Sequence, residues 1–217
     1  MTVRPDFLFP AGAAEGSDAR RELSAVLSGL YDVPLKSASL VLDVGANTGA
    51  FSVWAAHRWP GCRVLAFEPH PGAAERLRRN TAHMPVTVYQ VAVGREAGEG
   101  ALFEGKWTWG ESSLYELGEQ TKRTFGVKVE TLDSLVLPVQ RTHLVLKIDT
   151  EGAELDVLAG CSFLGAADAL LVEWHRTADI EPIKRIARSA GLWTWKEEPM
   201  AGRTDRGVLK FLRGLQP

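Results

Sequence analysis

Leu42 to Ser52 reads LDVGANTGAFS. An apolar run, beginning near Ser39, ends on an aspartate. Two glycines and an asparagine follow, and a helical pattern starts at Ala50. A continuous apolar run of this length is expected of a strand buried on both faces. Gly45 and Gly49 let the backbone turn tightly and approach a ligand closely. The stretch therefore predicts a strand, a short loop and a helix, the loop lying where open α/β sheets bind their ligands.

The same alternation continues outward. The pattern predicts a helix from Ala50 to Trp59, a strand from Arg63 to Phe67, a helix from Pro71 to about Asn80 and a strand from Val86 to Val93. It resumes with a strand from His143 to Asp149, a helix from Glu151 to Gly160, a strand from Ala169 to Glu173 and a helix from Asp179 to Ala190. Leu192–Lys196 and Val208–Leu212 read as a closing hairpin. The class is α/β: one domain over 1–217, a mainly parallel sheet and helices on both faces. Residues 1–16 read as an irregular arm, and a helix follows from Asp18 with Leu23, Val26, Leu27 and Leu30 on one face. Residues 95–142 form an insert with short strands at Glu99–Glu104 and Val127–Thr131, long enough to suggest a functional role as a lid.

Composition narrows the partners. With 217 residues, 45% hydrophobic and 24% charged, the chain is an ordinary globular domain with one core. A net charge of −2 offers no basic footprint for nucleic acid. Cys62 and Cys161 are far apart and in no metal-binding spacing, so a reducing, cytoplasmic setting is expected. No apolar run is long enough for a bilayer, and the start of the chain does not read as a signal peptide.

The glycine spacing is not that of a dinucleotide site, which requires G-x-G-x-x-G. Asp43, two residues before the first glycine, would repel a pyrophosphate and suits a cationic group. Glu68 ends the second strand, where an acid can accept both hydroxyls of a ribose. A ligand with a ribose, a cationic end and no need for a phosphate cradle fits S-adenosylmethionine. A bare structural turn is the plainer reading of D-x-G-x-x-x-G.

LDVGANTGAFS, FEPHP (67–71), VAVG (91–94), ETLDSL (130–135), LKIDTEGAELDVLAG (146–160) and LLVEWH (170–175) occur in this order. Together they closely resemble the FkbM family of S-adenosylmethionine-dependent methyltransferases over roughly residues 40–175. The resemblance implies a class I methyltransferase fold, a Rossmann-like seven-stranded sheet with an antiparallel C-terminal hairpin. It implies O-methylation of a small molecule such as a sugar or secondary metabolite, with S-adenosylhomocysteine as product. It places Asp43, Gly45, Asn47, Thr48 and Gly49 along the methionine part, Glu68 and Pro69 at the ribose, Gln90 to Val93, Ala92 among them, near the adenine, and Ser112, Ser113 and Leu114 over the cofactor.

A hydroxyl acceptor needs a base or a metal to remove its proton. Asp149 and Glu151, at the end of the fourth strand, and His175, just past the fifth, are the catalytic candidates. Asp149 also counts among the cofactor-site residues. Glu151 and Glu154 are expected to share a face at a helix start, with Glu154 structural. Lys147, on the same strand face as Asp149, is expected to pair with it. A divalent ion on Asp149, Glu173 and His175 is the less favoured route. Trp107 and Trp109 are candidates for a lid over the substrate, Trp193 and Trp195 for core packing, and Arg76, Arg78 and Arg79 for a solvated helix face. The expected partner is a small-molecule acceptor, with no nucleic acid and no membrane, in a monomer or homodimer. The competing functions are N-, RNA or protein methylation, a cofactor-binding module without turnover, and a nucleotide-dependent oxidoreductase.

Overall fold

The computed structural model describes residues 18–136, 143–200 and 204–214, with side chains from Leu23 onward. The arm expected over 1–16 and the last part of the expected insert, 137–142, lie outside the described residues.

Helix α1 (Asp18–Leu27) precedes β1 (Leu40–Val44), α2 (Ala50–Arg58), β2 (Arg63–Phe67), α3 (Pro71–Asn80) and β3 (Val86–Tyr89). After β4 (Ala92–Val93), β5 (Gly98–Gly105), β6 (Thr121–Glu130) and α4 (Leu132–Leu135), the alternation resumes with β7 (Leu144–Ile148), α5 (Glu154–Ala159), β8 (Ala167–Trp174) and α6 (Ile180–Ser189). The chain closes with β9 (Leu192–Pro199) and β10 (Gly207–Arg213). Seven strands form one sheet in the order β3-β2-β1-β7-β8-β10-β9. The first five run parallel, and β10 runs antiparallel to both β8 and β9. The order reverses between β1 and β7, so their carboxyl ends open a crevice at the switch point.

Strand periodicity divides the core between the two faces of this sheet. Leu42, Val44, Leu146, Ile148, Leu170 and Val172 pack with Val157, Leu158 and Ile183 of α5 and α6. Val41, Val64, Val145 and Leu171 pack with Leu23, Val26, Phe51 and Trp54 of α1 and α2. Leu27, expected on the same face of α1, is 48% exposed, because it closes the helix beyond the packed stripe.

The strand expected over Val86–Val93 is two strands. It breaks after Tyr89, and β4 leaves the main sheet to pair with β6 in a separate three-stranded sheet, β4-β6-β5. This small sheet has its own core of Ala92, Leu102 and Val127. Trp193 and Trp195 are not core residues. Strand β9 is the sheet edge, Trp193 is half-buried and Trp195 is 38% exposed. Among the described residues no helix is long and apolar enough to cross a membrane.

Candidate active site

A cavity of about 240 Å³ opens at the switch point. Its walls come from the loops after β1, β2 and β7, from β4, from residues 108–114 of the small sheet and from the strand end at Glu173.

The loop after β1 is built by glycine. Gly45 has φ 75°, and a Cβ there would sit 1.7 Å from the carbonyl oxygen of Asp149, so only glycine lets this loop pass the end of β7. Gly49 has φ 94°, and its Cβ would meet Leu77 of α3 at 2.4 Å. The tight turn places Asn47 at φ 44° with its backbone N–H aimed at Glu68. The Asn47 Oδ1 is buried with no hydrogen-bond partner.

Glu68 is braced from both sides. Its Oε2 accepts from the Asn47 N–H at 2.8 Å, and its Oε1 accepts from the His70 N–H at 2.8 Å. Burial pushes its carboxyl up to about 7, against the opposing pull of those two N–H groups. Gly45, Asn47, Glu68, Pro69 and Ala92 line the cavity, as do Val91 and Val93. Gln90 turns outward and accepts from the Arg78 side chain, so the apolar wall begins at Val91.

Asp43, Thr48 and Gly49 do not reach the cavity wall. Asp43 is fully buried below the loop, where its Oδ2 accepts from the Ser52 hydroxyl at 2.6 Å. Lys147 sits beside it, with Nζ 3.2 Å from Asp43, 3.3 Å from Asp149 and donating to the Gly45 carbonyl at 2.9 Å. The expected Lys147–Asp149 pair is present, and the same ammonium also neutralises Asp43. Thr48 is buried, and its carbonyl accepts from Asn80 of α3.

The opposite wall is acidic. Asp149, Glu151 and Glu173 line it, with Tyr31, Met200 and Arg206. Glu151 precedes α5, which begins at Glu154, so the expected shared helix face is absent. Its φ of 50° turns the chain, and Gly152 follows at φ 107°. Glu154 holds this turn: its Oε1 accepts from the N–H of Thr150 at 3.2 Å and of Gly152 at 2.9 Å.

His175 lies behind the wall, with its side chain 6% exposed. Nδ1 is 3.0 Å from Glu154 Oε1. Nε2 is 3.3 Å from Glu151 Oε1, 3.5 Å from Glu173 Oε1 and 3.7 Å from Asp149 Oδ1. Burial pushes the imidazole down, but Glu151, Glu154 and Glu173 outweigh it and hold the group well above its ordinary 6.5. Burial, followed by repulsion from Glu173, pushes Asp149 up to about 7. The donor atoms of Asp149, Glu151 and His175 lie within 4.8 Å of one another.

The small sheet contributes Trp109, Ser112 and Leu114 to the cavity. Trp109 stacks on His70 at 5.2 Å, and the Arg76 guanidinium lies 4.9 Å above its ring, so Arg76 is not part of a merely solvated face. Trp107 is 73% exposed and takes no part in the wall. Ser113 is just behind it, and its hydroxyl donates to the Glu151 carbonyl at 2.8 Å, fastening the small sheet to the acidic loop.

Sequence reasoning missed Tyr31, Met200 and Arg206. Tyr31 donates to Glu173 Oε2 at 2.9 Å. The Arg206 Nη1 lies 3.5 Å from Glu151 Oε1. These residues lie outside the motif-bearing stretch, and no spacing ties them to it; the sheet order brings Met200 and Arg206, at the facing ends of β9 and β10, and the α1–β1 connection to this crevice.

Residues 43–191 match the FkbM methyltransferase domain. The chain is 29% identical over 198 residues to Methyltransferase 1 of Beauveria bassiana, an alignment covering 78% of each protein. It is 30% identical over 155 residues to the hexuronic acid methyltransferase AglP of Haloferax volcanii, covering 70% of this chain and 62% of that one. In fold it resembles the crystal structure of methyltransferase FkbM from Methylobacillus flagellatus, with a TM-score of 0.61 and 18% identity, covering 85% of this chain and 47% of that chain.

Proposed function

The chain belongs to the FkbM family of methyltransferases, and on that premise we propose that it uses S-adenosylmethionine to methylate a hydroxyl group of a small molecule, a sugar or related metabolite. The observation that carries the reading is Glu68. Its two carboxylate oxygens are each fixed by a backbone N–H at 2.8 Å, on the cavity wall, leaving their other lone pairs for a pair of ribose hydroxyls.

The residues present fit the cofactor. Gly45 leaves room where any Cβ would strike the Asp149 carbonyl. The unpartnered Asn47 Oδ1 is an acceptor waiting for a donor such as an amino group. Val91, Ala92 and Val93 give an apolar wall for a flat base. Bound there, S-adenosylmethionine supplies an activated methyl group on a sulfonium sulfur.

The chain then has to orient the acceptor and receive its proton. Asp149 is the residue best suited to the proton. It faces the cavity, and burial has brought its carboxyl to about 7, near neutral pH. His175, one of the catalytic candidates in the sequence, stands behind the wall beside Glu151 and Glu173, and these carboxylates and Glu154 raise its pKa well above 6.5. Tyr31 orients Glu173 from the other side. Arg206 puts a cation on the acceptor side of the cavity, suited to an acceptor bearing a carboxylate. A hexuronic acid, the substrate class in the name of the Haloferax volcanii relative, has that chemistry. Both cysteines are free and buried, in keeping with the cytoplasmic setting included in this reading.

The test is calorimetric titration with S-adenosylmethionine, S-adenosylhomocysteine and NAD, followed by transfer of labelled methyl groups to a panel of sugars and uronic acids. Binding of the first two ligands, and label on a hydroxyl, is the expected result. Binding of NAD alone, or label on nitrogen, overturns it.

A further inference from the structure

The acidic wall contains an arrangement that the transfer of a proton does not explain. His175 Nδ1 is held by Glu154 at 3.0 Å, a carboxylate that also collects two backbone N–H groups. That contact fixes the ring and directs Nε2 towards the acidic wall. Nε2 there has three carboxylate oxygens at 3.3, 3.5 and 3.7 Å, yet none takes it in hydrogen-bonding geometry, and the atom is buried without a partner. A nitrogen surrounded by oxygens, with none in line, leaves a gap between them rather than a bond.

The surrounding charge points the same way. Asp43, Asp149, Glu151, Glu154 and Glu173 converge here, and among the described residues Lys147 and Arg206 form ion pairs with members of this group besides His175. Burying this many carboxylates requires cations among them.

We propose that Asp149, Glu151 and His175 bind a divalent transition-metal ion, which faces the acceptor side of the cavity and holds the hydroxyl to be methylated. Cis donors at about 2.1 Å from an octahedral ion stand about 3 Å apart. The 3.3 and 3.7 Å separations from Nε2 close to that value with shifts of about 0.3 and about 0.7 Å. One imidazole with two carboxylates suits Mn²⁺, Fe²⁺ or Zn²⁺ better than Mg²⁺ or Ca²⁺, which prefer oxygen alone. Glu154 on the far ring nitrogen is the outer carboxylate that metal-binding histidines commonly carry. Asp149 and Glu151 line the cavity, so the remaining coordination positions open towards the acceptor.

This inference rests on the methyltransferase reading for its chemistry, though not for its binding site. An ion here lowers the pKa of the bound hydroxyl, whose proton leaves to water while the electron pair stays on oxygen. Asp149 then acts as a ligand and not as the proton acceptor.

The experiment uses the full chain stripped with EDTA and dialysed, then titrated with MnCl₂ alone while the electron paramagnetic resonance signal of free Mn²⁺ is followed. The expected result is one bound ion per chain, with affinity falling at least about tenfold in Glu151→Gln and in His175→Asn. Titration of the same samples with S-adenosylhomocysteine reports whether the cofactor pocket is intact. Intact cofactor binding without stoichiometric Mn²⁺ binding, or Mn²⁺ binding unchanged in both variants, overturns the metal site and leaves the methyltransferase reading standing. Stoichiometric, variant-sensitive Mn²⁺ binding without cofactor binding supports the site and counts against that reading instead.

Discussion

Glu154 and His175 meet at 3.0 Å behind the crevice, and this contact helps join the turn after β7 to the end of β8. The carboxylate is fully buried and also accepts from the N–H groups of Thr150 and Gly152. Replacing it with Ala strands an imidazole and two backbone donors without acceptors. The expected loss is on the order of 3 kcal/mol of stability, read by urea denaturation. Unchanged stability would mean that water takes over all three partners.

Glu68 sets a pH dependence. Its folded carboxyl titrates at about 7, above the ordinary 4.5. In the cofactor-free protein its ionisation therefore opposes folding, and this contribution to stability falls as pH rises from 4.5 towards 7. Cofactor binding runs the other way, because ribose hydroxyls donate to the ionised form. Affinity for S-adenosylhomocysteine is expected to rise between pH 6 and 8, roughly in step with that ionisation. Glu68→Gln should flatten the profile, and Glu68→Ala should weaken binding by about tenfold or more. A wild-type profile in Glu68→Gln would remove Glu68 from the ribose site.

Lys147 is 2% exposed and serves Asp43, Asp149 and the Gly45 carbonyl together. Lys147→Met leaves a fully buried aspartate without its cation, at a cost of about 3–5 kcal/mol. Adding Asp43→Asn should recover a good part of that loss. The double-mutant cycle decides: additive losses would show that the two side chains are not coupled.

The two tryptophans of the small sheet should separate cleanly. Trp109 lines the cavity, packed between His70 and Arg76, while Trp107 is exposed. Trp109→Ala is expected to weaken cofactor or acceptor binding by about fivefold, the worth of one aromatic contact. Trp107→Ala should leave both affinities unchanged in calorimetry, and equal effects from the two would place the wall elsewhere.

Much of the main sheet could be read from the sequence because apolar runs, glycine loops and helical periods mark a doubly wound fold locally. Arg63–Phe67 and Pro71–Asn80 have the expected limits for that reason. The break after Tyr89 was hidden, since Gln90-Val91 carries no turn signal and β4 leaves the sheet only because β6 offers it a partner. Trp193 and Trp195 misled because alternation on an edge strand looks like alternation in a core. The places of Glu68, Asp149 and Glu151 on the cavity wall are legible from their positions at strand ends. Asp43 lies beneath its own loop and off the cavity wall, and strand-end logic does not say which carboxylate the buried Lys147 will claim. Tyr31 and Arg206 had no local signal at all.

The small sheet has a further consequence, for how such a protein changes over generations. Strand β4 enters it, and β6 hands the chain back to the main body through α4. Gly160, at the end of α5, could carry no Cβ, which would lie 2.3 Å from the Gly94 carbonyl, so the entry is seated against the body by a pair of glycines. Between these ends, one contiguous stretch from Gly98 to Glu130 supplies Leu102, Trp109 and Leu114 to the cavity, while Glu68 and Ala92 belong to other segments. A single recombination event can therefore exchange that wall as a block, with β1, β2 and β7 inherited intact.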